Sequence, residues 1–101
     1  MTRRPADLDT HLAALADGDR AAFDPVYDAV APRVRALCDR MLGDGPDADD
    51  AAQVALCKLF EHAHDYDPAR PALPWILGIA AWECRTVRKR RQRRRETAWA
   101  S

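Results

Sequence analysis

Residues 20–42 read RAAFDPVYDAVAPRVRALCDRML, and their apolar positions decide the fold class. Phe23, Tyr27, Val30, Val34, Leu37, Cys38, Met41 and Leu42 recur mainly at steps of four and three. Only a helix brings side chains at that spacing onto one face. Pro25 falls in the first turns, where its missing N–H costs little. Pro32 is interior and predicts a kink or a split near Ala31. Gly43-Asp44-Gly45-Pro46 is a break.

The flanking segments repeat the pattern. Upstream, Leu8, Leu12 and Leu15 form a short stripe over residues 7–17, ended by Asp17-Gly18-Asp19. Gly18 suits a left-handed cap, and Asp19 suits the N-cap of the next helix. Downstream, Asp47 reads as an N-cap with Asp49 and Asp50 in the first turn, where the helix dipole favours acids. Ala51, Val54, Ala55, Leu56, Cys57, Leu59 and Phe60 carry that helix to about His64. Three prolines within seven residues then make Asp65–Pro74 a loop, long enough to suspect a function. Trp75 opens the last helix, whose apolar positions are Trp75, Ile76, Ile79, Ala80, Trp82, Cys84 and Val87. Beyond Val87 no apolar residue ties it to a core, so it is expected to fray and end before Trp99. No strand pattern and no internal repeat interrupts this order. Twenty alanines against 18 Leu, Ile, Val and Phe favour thin, closely packed helices. The expectation is an all-α, single compact bundle of about four helices.

The 101 residues hold 16 basic and 16 acidic side chains, so the formal net charge is zero. The total hides an asymmetry. Residues 1–70 hold 8 basic and 14 acidic side chains, whereas residues 71–101 hold 8 and 2. From Arg85 to Arg95, eight of eleven residues are basic and none is acidic. These are Arg85, Arg88, Lys89, Arg90, Arg91, Arg93, Arg94 and Arg95. On one helix such a run is either a solvated tail or a footprint for phosphates. Its self-repulsion without a polyanion, and its preference for arginine, point to nucleic acid. Tyr66, Trp75 and Trp82, with Arg70 nearby, lie beside the run. They can stack on unpaired bases, or they can be core on one helical face.

Other chemistry is poorly represented. Asp44, Asp47, Asp49 and Asp50 lack calcium-loop spacing, and helix capping accounts for them; Asp47, Asp50 and Gln53 also form a face suited to a basic partner. Cys38, Cys57 and Cys84, with His62 and His64, include no C-x-x-C pair. Buried thiols acting as small hydrophobes are the simpler reading, with a thiol- or zinc-dependent sensor as the alternative. No nucleophile elbow, metalloprotease helix or phosphate loop is present, so no catalytic residue, metal or cofactor is expected. No apolar run has the length of a membrane span and the N-terminus lacks a signal-peptide core, so a cytoplasmic protein is expected.

Four segments together resemble a known family. They are Leu15-Ala16-Asp17-Gly18-Asp19-Arg20-Ala21-Ala22-Phe23, Asp47-Ala48-Asp49-Asp50-Ala51-Ala52-Gln53, Tyr66-Asp67-Pro68-Ala69-Arg70, and Pro74-Trp75-Ile76-Leu77-Gly78-Ile79-Ala80 leading into the arginine run. In order and spacing they are similar to conserved region 2 of bacterial sigma factors of the extracytoplasmic-function group. The resemblance implies a helical domain over 7–95, an N-terminal arm over 1–6 and a tail over 96–101, without the helix-turn-helix that reads the −35 element. It implies docking of Asp47, Asp50, Gln53 and Val54 on the clamp helices of the largest subunit of core RNA polymerase. It also implies recognition and melting of the promoter −10 element by capture of non-template-strand bases, through Arg70, Trp75, Ile76, Trp82, Arg85, Arg88, Lys89 and Arg91. Two positions depart from the family pattern: Val54 stands for the usual glutamate, and Trp82 for the usual asparagine. An anti-sigma factor is a further possible partner. The alternative is a sigma-like interaction module, or decoy, that binds an anti-sigma factor or polymerase without opening DNA.

Overall fold

The computed structural model describes residues 6–100. Four helices make the bundle: α1 (Ala6–Ala16), α2 (Phe23–Leu42), α3 (Pro46–Glu61) and α4 (Ala72–Ala100). Short 3-10 turns at Arg20–Ala22 and Ala63–Asp65 link α1 to α2 and α3 to α4. No strand occurs among the described residues.

The long helices α2, α3 and α4 pack mutually, and α1 packs on α2 and α4. On α2 the core face is Val26, Val30, Val34, Cys38 and Leu42. It meets an alanine face on α3, Ala48, Ala51, Ala52 and Ala55 with Leu59, and Ile76, Ala80, Cys84 and Val87 of α4. The small side chains of α3 let three helix axes approach closely, so a chain with few large apolar residues still closes a core.

This core corrects the expected stripe on α2. Val26, not Phe23 or Tyr27, starts the buried face; Phe23 and Tyr27 are 42% and 43% exposed. Their rings gather on the surface with Phe60 of α3, with Phe23 and Phe60 centred 4.2 Å apart. Pro32 neither splits nor ends α2, which runs unbroken through it. The ring sits on the solvent side, so the carbonyl it leaves without a partner can be served by water.

The helix ends meet expectation at Gly18 and Asp19 and depart from it at Asp47 and at both ends of α4. Gly18 and Gly43 both take positive φ, +98° and +82°, the conformation that ends α1 and α2. Asp19 accepts from Ala21 N–H at 3.0 Å and so caps the first 3-10 turn. Asp47 is not an N-cap: Gly45 holds that position, Pro46 is the first helical residue, and Asp47 and Asp49 lie in the first turn. The loop before α4 is shorter than expected, because Ala72 N–H donates to Asp9 Oδ1 of α1 at 2.8 Å. That contact starts the helix three residues ahead of Trp75 and seats Pro74 harmlessly in its first turn. Asp9→Ala is expected to destabilise the fold by about 1 kcal/mol, lowering the melting temperature by roughly 4–8 °C. Thermal melting followed by circular dichroism checks this; an unchanged midpoint would mean the bond contributes nothing. At its other end α4 continues through Trp99 to Ala100 rather than stopping earlier.

Candidate nucleic-acid interface

Residues Tyr66 to Pro71 join the second 3-10 turn to α4 and are held tightly. Asp67 Oδ1 accepts from Ala69 N–H at 2.9 Å, and Arg70 N–H donates to the Asp67 carbonyl at 2.9 Å. The buried Tyr66 hydroxyl donates to the Arg70 carbonyl, and burial raises the Tyr66 pKa. The Tyr66 ring lies 5.3 Å from Trp75, so the loop fixes the first tryptophan of α4.

Between the end of α3, the turn at Ala63–Asp65 and α4 lies a hollow of about 450 Å³. Lys58, His62, Asp65, Trp75, Gly78, Ile79 and Trp82 line it. Trp75 is half-buried and anchored, whereas Trp82 is 61% exposed. This separates the two readings of the tryptophan pair: Trp82 is not core. Gly78 keeps the hollow open, since a Cβ there would meet nothing within 4 Å. Lys58 is ion-paired with Glu83, the one charged side chain in the buried set among the described residues, so the lysine is held at the hollow by a fixed anion.

The hollow opens onto a cationic stripe. Trp75, Gly78, Trp82, Arg85, Lys89 and Arg93 follow one another at steps of three, four, three, four and four along α4. They therefore share one outward face over about 27 Å. Trp82, Arg85, Lys89 and Arg93 are all exposed on it. An apolar, aromatic recess at one end and three cations at the other suit a strand whose base enters the recess while its phosphates run along the helix.

The expected interface residues do not all lie there. Ile76 is buried in the core at 1% exposure, so it supports the tryptophans and is not open to a ligand. Arg70 is exposed on the loop, outside the wall of the hollow. Arg88 donates from Nε and Nη2 to the Met41 carbonyl at 3.1 and 2.7 Å. Arg91 donates from Nη2 to the Leu42 carbonyl at 3.1 Å and from Nε to Asp47 Oδ2 at 2.8 Å. Both arginines thus close the C-terminal end of α2, whose carbonyls and dipole favour cations. Asp47 is held by Arg91, while Asp50, Gln53 and Val54 are exposed together along α3.

Lys58, His62, Asp65, Gly78 and Ile79 also line the hollow, and the sequence analysis assigns none of them to the interface. A signal for them exists: residues 75, 78, 79 and 82 have helical spacing, as do 58 and 62.

The thiols form no metal group; no cluster of three His, Cys, Asp or Glu placed to hold an ion occurs among the described residues. Cys38 and Cys84 are buried with sulfurs 3.5 Å apart, and Cys57 is exposed, contrary to the expectation of three buried thiols. Burial, helped by the contact with Cys84, pushes the Cys38 pKa from 9.0 up to about 12. At pH 8 a disulfide reagent should therefore modify Cys57 quickly, and Cys38 and Cys84 only after denaturation. The folded chain also keeps Cys38 protonated where the unfolded chain ionises it, so stability falls as pH rises from about 9 towards 12. Rapid modification of all three thiols in native buffer would contradict this packing.

Comparison with known proteins agrees with the helical fold. A family model described as Sigma-70 region 2 matches residues 26–95. The RNA polymerase sigma factor CarQ of Myxococcus xanthus is 32% identical over 85 residues, which cover 84% of this chain and 48% of CarQ. The ECF RNA polymerase sigma factor SigK of Mycobacterium tuberculosis H37Rv is 34% identical over 79 residues, 77% of this chain and 42% of SigK. The chain thus spans less than half the length of these relatives. An NMR structure of an engineered region 2 of sigmaE in complex with GTAAAA superposes with a TM-score of 0.75 at 23% identity, covering 86% of this chain and 90% of that one.

Proposed function

The chain belongs to the Sigma-70 region 2 family, and from that premise we propose that it binds core RNA polymerase and recognises and melts the promoter −10 element. One observation carries the proposal: a tryptophan-walled hollow continues into three exposed cations on one face of α4. The phosphates of the non-template strand lie along Arg85, Lys89 and Arg93. An extruded base enters between Trp75 and Trp82, within reach of the polar groups of Lys58, His62 and Asp65. Opening requires no covalent step and no enzyme activity. Unpaired bases bind the recess and paired bases cannot, so binding energy shifts the duplex towards the open state.

The exposed Asp50, Gln53 and Val54 on α3 form the polymerase-facing surface, addressed to the clamp helices of the largest subunit. The engineered sigmaE region 2 bound to GTAAAA supports the single-strand reading by analogy of fold. Work in the cytoplasm, with polymerase and promoter, accords with the same role.

The test is capture of a fluorescent −10 non-template oligonucleotide in the presence of core polymerase. Specific capture by the chain with polymerase is expected. Polymerase binding without capture would replace the proposal by the decoy reading, in which the chain occupies polymerase or an anti-sigma factor without opening DNA.

A further inference from the structure

The arginine run has a second face. Arg91, Arg94 and Arg95 share one side of α4, three and four residues apart, away from the stripe of Arg85, Lys89 and Arg93. With Asp47 they line a separate hollow of about 420 Å³. Three guanidinium groups meet there at the first turn of α3, whose dipole is also positive at that end. Such a concentration of positive charge needs an anion. The anion present is the Asp47 carboxylate, bound to Arg91 Nε at 2.8 Å. Among the described residues, Arg94 and Arg95 have no ion-pair partner.

We propose that this hollow is a second phosphate site, built by Arg91, Arg94 and Arg95 and plugged in the free chain by Asp47. Asp47 meets Arg91 through a single anionic oxygen, Oδ2 on Nε, which is the contact that one phosphodiester oxygen would make, so Asp47 holds the place of a phosphate. The ligand is a nucleic-acid backbone phosphate on the side of α4 that faces α3. The inference rests on the nucleic-acid reading of α4 and adds to it a site outside the outward stripe. It also gives Asp47 a linked role, since any partner that engages this carboxylate frees the Nε edge of Arg91 for phosphate while Nη2 stays on the Leu42 carbonyl.

A double-mutant cycle tests it. The whole chain, Asp47→Asn, Arg91→Gln and the double variant are each titrated with a non-specific duplex over a salt series. Thermal melting of each variant checks that it is folded. Asp47→Asn is expected to bind about fivefold more tightly and to steepen the salt slope by about one. Arg91→Gln alone should change little, because Arg91 is already engaged. In the double variant the gain from Asp47→Asn should disappear. An equal gain in both backgrounds would mean only that a negative charge was removed, and would overturn the site while leaving DNA binding intact. Absence of binding by all four folded proteins would instead overturn the nucleic-acid reading, and this site with it. Inorganic pyrophosphate, added at matched ionic strength, separates the two phosphate sources. Thermal stabilisation of Asp47→Asn by pyrophosphate, lost in the double variant, assigns the site to free phosphates as well; a duplex-only gain restricts it to the backbone.

Discussion

Replacing Arg85, Lys89 and Arg93 together by glutamine is expected to weaken duplex DNA binding by about a hundredfold and to lower the salt slope by about 2.7, since each lost phosphate contact removes roughly 0.9. The three side chains lie on the outward stripe, are exposed, and form none of the contacts that hold α4 to α2. Each is four residues from the next, so they repel one another along the helix. Stability should therefore stay level or rise slightly while binding collapses. Salt-dependent binding and thermal melting on the same preparation check both halves. If the run were only a solvated tail, the substitution would leave binding unchanged. If it were structural, melting would fall with it.

The second large effect is expected from Gly78→Leu. Gly78 is a helix-interior glycine, and leucine has a higher helix propensity by roughly 0.5–1 kcal/mol. A side chain there meets open space, and that space is the hollow between Trp75 and Trp82. The variant should be at least as stable as the parent, yet it should lose the base that the hollow would stack. Stacking contributes about 1–3 kcal/mol per base, so single-strand affinity should fall by roughly fivefold to a hundredfold. Duplex binding through the cationic stripe should change much less. Equal losses on single strands and duplex, or no loss on single strands, would show that the hollow is not the base receptor.

Much of this fold is legible in the sequence because its signals are local. Glycines at 18 and 43, the aspartate at 19 and the helical spacing through α2, α3 and α4 each act within a few residues. The errors arise where a distant group decides. Both Phe23-Tyr27 and Val26-Val30 satisfy helical spacing, so spacing alone does not choose between them. The choice is made by the alanine face of α3, which brings the helices too close for rings and leaves Phe23 and Tyr27 to stack on Phe60 at the surface. The start of α4 is set by Asp9, 63 residues away. Its end is later than repulsion alone suggests, because Arg88 and Arg91 are anchored to α2 and Gln92 donates to Glu96 at 3.2 Å.

The site is legible in outline for the same reason. The tryptophans and the basic run share one helix, and periodicity reveals that. Which arginines are open to a ligand depends on where the end of α2 falls, and no pattern within α4 contains that information. Arg88 and Arg91 are engaged by α2, while Arg85, Lys89 and Arg93 are not. Ile76 looks like a neighbour of the interface in sequence, but its helical position turns it into the core.

The proposed promoter opening turns on one event, the entry of an unpaired base between Trp75 and Trp82. The chain holds three tryptophans, so its indole N–H groups give three resolvable NMR signals, assigned by substitution. Titration with a −10 non-template single strand is predicted to shift the Trp75 and Trp82 signals strongly. The same sequence as a closed duplex should move them far less at equal occupancy. Binding of the single strand with both of these signals unmoved would show that no base enters there.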